Sequence, residues 1–62
     1  MDGKKLQDML DEKQMTQSAL GERVGVSQQM IARIIAGTKP PSLALAKAIA
    51  GVLDCKLDEL LA

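Results

Sequence analysis

Sixty-two residues, 47% of them apolar and 26% charged, with a formal net charge of zero, lead us to expect one small domain over residues 1–62. A single cysteine excludes an intrachain disulfide, the lack of histidine excludes a Cys/His zinc site, and no apolar run reaches the ~18 residues of a membrane span. Phe, Tyr and Trp are also missing, so the core is built from Leu, Ile, Val, Met and Ala, or is completed by a partner chain.

Five helices are predicted and no strand. The opening Met1-Asp2-Gly3-Lys4-Lys5 is charged and has no apolar stretch after it, so no signal peptide is expected, and a free thiol without an export signal points to a reducing cytoplasm. The first helix takes Asp2 as its N-cap, sets Leu6, Met9 and Leu10 on one stripe and stops near Lys13. Thr16 opens the second, with Leu20 and Val24 inside, and Gly25 ends it in the left-handed conformation that glycine adopts freely. Val26 fills the turn. Ser27 caps a third helix that runs to Ala36, with Gly37 closing it. Thr38-Lys39-Pro40-Pro41 is a loop, because each proline keeps the residue before it out of helix. Ser42 caps a fourth helix over 43–53, whose inner face is Leu43, Leu45, Ala46, Ile49, Ala50, Val52 and Leu53. A short fifth begins near Leu57 and carries Leu60 and Leu61.

The neutral total hides an uneven distribution. Residues 1–23 sum to −1, residues 24–53 to +3 with no acid at all, and residues 54–62 to −2. A basic middle flanked by acidic ends favours an anionic partner there. The third helix lies in that stretch. At about 100° per residue, Gln28, Ala32, Ala36, Gln29 and Arg33 share one side, while Met30, Ile34, Ile31 and Ile35 share the other. The apolar side is core. The polar side has none of the Glu/Lys mixture of an ordinary solvated face. It carries the side chains that bond adenine and guanine edges in the major groove, with alanines small enough to touch a thymine methyl.

Two helices joined through Gly25-Val26-Ser27 make a helix-turn-helix pattern over about residues 16–36. The segment Met15-Thr16-Gln17-Ser18-Ala19-Leu20-Gly21-Glu22-Arg23-Val24-Gly25-Val26-Ser27 resembles the lambdoid phage repressor and Cro-type helix-turn-helix family. The resemblance continues through Ile31, Ile34, Gly37, Lys39-Pro40-Pro41-Ser42 and Leu57-Asp58-Glu59-Leu60-Leu61, without a gap. It implies an all-α, compact five-helix fold of the lambda-repressor type, with the second helix of the motif in the major groove and the first across it.

Carried over residue by residue, the resemblance implies base contacts from Ser27, Gln28, Gln29 and Arg33. Gln28 is the leading reader of adenine, and Arg33 is within reach of either a guanine or a phosphate. Gln17, at the N-terminus of the second helix, matches the family's phosphate-anchoring glutamine. Thr16, Thr38 and Lys39 are further phosphate candidates, with plain capping the competing role for Thr16 and for Ser42, and an ordinary exposed loop lysine that for Lys39. The chain departs from the family at several points. Leu10 and Ile35 stand where an arginine and an acid often form a buried pair, and they are expected to pack together instead. Ala36 replaces a common asparagine. Met30 replaces a small polar residue and is expected at the edge of the DNA face. Lys56 replaces a Ser or Thr cap, so the fifth helix is expected to be weakly capped. Cys55 is expected to be a buried small hydrophobe.

The function expected from this pattern is a sequence-specific, double-stranded-DNA-binding transcriptional regulator, a bacterial or phage repressor bound as a homodimer to a near-palindromic operator. No cofactor, metal, membrane or small-molecule effector is expected. The alternative is a protein-interaction module of the same fold, antitoxin-like or adaptor. The neutral charge favours that alternative, and the lack of aromatic anchors opposes it. Enzymatic activity is not expected, since no histidine or tyrosine is present and Cys55 has no candidate base. The small outer face of the fourth helix (Ala44, Lys47, Ala48, Gly51) is either plain surface or a dimer contact; Leu57, Leu60 and Leu61 are the other candidates for pairing.

Overall fold

The computed structural model describes residues 3–61, which form five helices and no strand. They are α1 (Gly3–Glu12), α2 (Gln17–Val24), α3 (Gln28–Ala36), α4 (Leu43–Leu53) and α5 (Leu57–Leu61). The expected cap Asp2 lies outside the described residues. The three hydroxyl caps are formed as predicted. Thr16, Ser27 and Ser42 hold extended backbone, and their oxygens accept the N–H of Ala19 at 3.0 Å, Met30 at 3.1 Å and Leu45 at 3.1 Å. Each satisfies a donor that the first helical turn leaves without an intrahelical partner.

Four helices end in one left-handed residue: Gln14 (φ 54°), Gly25 (80°), Gly37 (80°) and Asp54 (54°). In all four the residue after it reaches back into the last turn, with Met15 N–H on Leu10 (2.9 Å), Val26 on Gly21 (2.9 Å), Thr38 on Arg33 (3.1 Å) and Cys55 on Ala50 (3.0 Å). Only the two glycines are legible in the sequence. Aspartate visits this region with little penalty, whereas glutamine at Gln14 carries a cost of about 1 kcal/mol. The neighbouring residue explains why the chain accepts it. Met15, Val26 and Cys55 occupy equivalent places after their helices, and all three pack against the core, the apolar contact that accompanies such endings.

The core consists of Leu6, Leu10, Leu20, Ile31, Ile34, Ile49, Ala50, Leu53 and Leu60. Helix α2 packs on α3 and α4, α1 packs on α3, and α5 packs on α4. Leu10 is fully buried and the half-buried Ile35 lies against the same cluster, so apolar contact occupies the site of the family's ion pair. Two expectations need correction. Leu43 is not on the inner face of α4; it is 59% exposed. As the first residue of its helix, its side chain tilts back past the helix end, away from the layers that cover Ile49 and Leu53. Met30 is half-buried and packs against the core from the apolar side of α3, where its place in the helix puts it. Cys55 is half-buried, less enclosed than expected.

Gly21 is the tightest point of the α2–α3 junction. A Cβ there would lie 2.6 Å from the Val26 carbonyl oxygen, and that oxygen belongs to backbone that cannot swing aside. In contrast, a Cβ on Gly51 of α4 would meet nothing within 4 Å. The same substitution is therefore expected to have opposite signs at the two sites. Gly21→Ala should lower unfolding free energy by about 1–2 kcal/mol, overpacking outweighing the gain in helix propensity. Gly51→Ala should raise it by about 0.5–1 kcal/mol. Urea titrations of both variants check this. Burial first, and the Glu59 carboxylate second, push the Cys55 thiol above its ordinary pKa. Because the thiolate is the nucleophile, Cys55 in the folded protein should alkylate more slowly at neutral pH than in urea-unfolded protein.

Candidate nucleic-acid interface

The polar side of α3 is built by the same packing that buries its other side. Ile31 and Ile34 are inserted in the core, which leaves Gln28, Gln29, Arg33 and Ala36 exposed and Ala32 half-exposed between them. The turn Gly25-Val26-Ser27 sets where this face begins. The Gly25 N–H bonds the Gly21 carbonyl, and the Val26 N–H bonds the same oxygen at 2.9 Å, so the chain reverses against the body of α2. Ser27, Gln28, Gln29 and Arg33 are thus all presented outward, on and just before the first two turns of one helix.

Capping and contact are compatible at two of the hydroxyls. Thr16 Oγ1 and Ser27 Oγ each accept a backbone N–H, and accepting leaves their own protons free to donate. Thr38 differs. Its hydroxyl donates to the Arg33 carbonyl at 3.2 Å, beside its own N–H on the same oxygen. A phosphate oxygen only accepts, so the Thr38 hydroxyl can donate to one only by giving up its bond to the Arg33 carbonyl, which the backbone N–H groups of Gly37 and Thr38 continue to hold. Lys39 follows on the exposed loop.

Gln17 is half-buried at the start of α2 and is held from another helix. Its Nε2 donates to Gln7 Oε1 of α1 at 3.0 Å, and Gln7 Nε2 donates to Asp11 Oδ1 at 2.9 Å. Gln7 and Asp11 are absent from the residues picked out by the motif, because they lie outside it. One signal was available: a glutamine four residues before an aspartate on a helix face is a recognised bonding pair. The link to Gln17 follows only from how α1 lies beside α2.

The model of the helix-turn-helix family matches residues 6–60. The chain belongs to the Cro/C1-type helix-turn-helix family. Its expected fold, all-helical with five helices, is the fold observed, and the family is one of DNA-binding regulators. No curated protein and no solved structure matches the chain. Among the described residues, no helix is long and apolar enough to cross a membrane, and no group of His, Cys, Asp and Glu is placed to hold a metal ion.

Because Ser27 caps α3 through one bond to Met30, its role in stability can be separated from contact with DNA. Ser27→Ala should cost about 1 kcal/mol of folding free energy in the absence of any ligand, read as a lowered thermal midpoint. Ser27→Asp should keep the cap and restore the midpoint.

Proposed function

We propose that this helix-turn-helix chain is a sequence-specific transcriptional regulator of double-stranded DNA. It is a cytoplasmic repressor of bacterial or phage origin, bound as a homodimer to a near-palindromic operator. The observation that carries the reading is the exposed side of α3, where the side chains of Gln28, Gln29 and Arg33 take no part in the hydrogen bonds made by Thr16, Gln17, Ser27 and Thr38. Glutamine bonds adenine N6 and N7 in a bidentate manner, and arginine does the same to guanine O6 and N7. Helix α2 would cross the backbone, with the Thr16 hydroxyl, Gln17 and the free N–H groups at its N-terminus toward phosphate. Thr38 and Lys39 would approach the backbone from the other end of α3. Cα extents of 24 × 23 × 19 Å let two copies sit on half-sites ~34 Å apart without overlap.

Binding by this face would depend on hydrogen bonds more than on charge. Arg33 on α3 and Lys39 on the loop after it are the cations assigned to this face, four in a dimer. The log–log salt slope is therefore expected near −4, shallow for a DNA-binding dimer.

Selection from a pool of randomised duplexes tests the reading directly. One near-palindromic motif should be enriched, with adenines at positions lost from the consensus of Gln28→Ala. That variant should bind the selected duplex about 5- to 150-fold more weakly, the cost of one bidentate base contact. No enrichment from folded protein would reject this function and favour a protein partner on the same face.

A further inference from the structure

The chain of side-chain bonds from α1 to α2 has a direction, and chemistry sets it. The Asp11 carboxylate oxygen accepts, so Gln7 turns its NH2 toward Asp11, at 2.9 Å. That leaves the Gln7 carbonyl oxygen facing α2, where only a donor fits. Gln17 must then present its own NH2 to Gln7, as it does at 3.0 Å. An amide that could otherwise flip end for end at little cost is held in one orientation. One Nε2 proton of Gln17 is used, and the second proton and Oε1 remain for an outside partner. Both glutamines are half-buried, so their stems are confined while the amide ends stay within reach of α2's N-terminus.

We propose that Gln7 and Asp11, outside the helix-turn-helix, are positioning residues that hold the Gln17 amide with its free N–H toward the DNA phosphate. This rests on the DNA-binding reading above. A phosphate oxygen accepts and never donates, so only the NH2 end of Gln17 is productive. Without the relay, Gln17 samples both amide orientations and several rotamers, and ordering it on binding offsets part of the contact. Since the contact is to backbone, its loss weakens binding to all sequences alike and leaves base preference unchanged.

The test compares Gln7→Met, Gln17→Met and the double variant, methionine being close to glutamine in length and unable to make the amide bond. Probes are the selected operator duplex and a scrambled duplex of equal composition. Gln7→Met should weaken binding to both by the same factor, about threefold to tenfold for one lost hydrogen bond. Gln17→Met should do at least as much, and the double variant should be no weaker than Gln17→Met. Wild-type binding by Gln7→Met, or additive losses in the double variant, overturns the proposal. Asp11→Asn separates positioning from charge. Asparagine can accept from Gln7 or turn its own NH2 toward it, so the relay loses its fixed direction and predicts weaker binding, whereas removing an acid near DNA would by itself tighten it; a tighter complex removes Asp11 from the proposal. The side-chain amide resonances of Gln17 in DNA-free protein give a readout independent of function: Gln7→Met should shift them, and unmoved resonances overturn the relay. If wild-type protein binds neither duplex, the DNA reading fails and the positioning role fails with it, while the resonances still report whether the contact exists.

Discussion

The interface depends on one approach between two stretches of backbone. Where Gly21 of α2 meets the Val26 carbonyl, there is no room for a side chain, and the Val26 N–H closes on the Gly21 carbonyl from the turn. This pair of contacts sets how α3 leaves α2. A methyl group between them would push the helices apart, and every exposed residue of α3 would move as a rigid unit. Gly25 supplies the left-handed step that makes the reversal possible, and Val26 seals it against the core. In the proposed role of α3 as a reader of base edges, such a helix must be held to within a fraction of an ångström by its support. Here that support is backbone against backbone, the stiffest available.

The same device recurs with poorer residues. Gln14 and Asp54 take the left-handed position that glycine holds after α2 and α3, and the residues that follow them, Met15 and Cys55, drop into the core. In a chain without aromatic side chains, each small apolar anchor counts for more. These loop residues extend the core beyond the helices themselves, which helps to explain how so short a chain encloses six large side chains completely. Cys55 is best understood as one such anchor. Its raised thiol pKa is a consequence of that packing and of the nearby Glu59 charge.

Helix α1 plays two parts. It closes the core from one side through Leu6 and Leu10, and it brings a carboxylate-terminated amide relay to the first residue of α2. A neutral protein that approaches a polyanion has little long-range attraction to rely on, so the direction of its few hydrogen-bond donors matters more. Fixing an amide by means of a negative charge one helical turn away is one way to obtain that direction without adding a cation.

Much of this was legible in the sequence, because it is written in local signals. Hydroxyl caps at Thr16, Ser27 and Ser42, glycines at Gly25 and Gly37, and the division of α3 into an isoleucine side and a glutamine side each depend on residues within a turn or two of one another. They determined the helices, the motif and the outward placement of Ser27, Gln28, Gln29 and Arg33. The tertiary structure decided the rest. Leu43 reads as core by composition and is exposed because it is the first residue of its helix. Gln14 reads as an ordinary polar residue and is held in the left-handed region by the burial of Met15. Gln7 reads as helix surface and bonds Gln17 ten residues away. At Leu43 the outcome is set by where the helix begins relative to the core, at Gln14 by the core that receives its neighbour, and at Gln7 by the helix laid beside it; patterns of residue type carry no record of these placements.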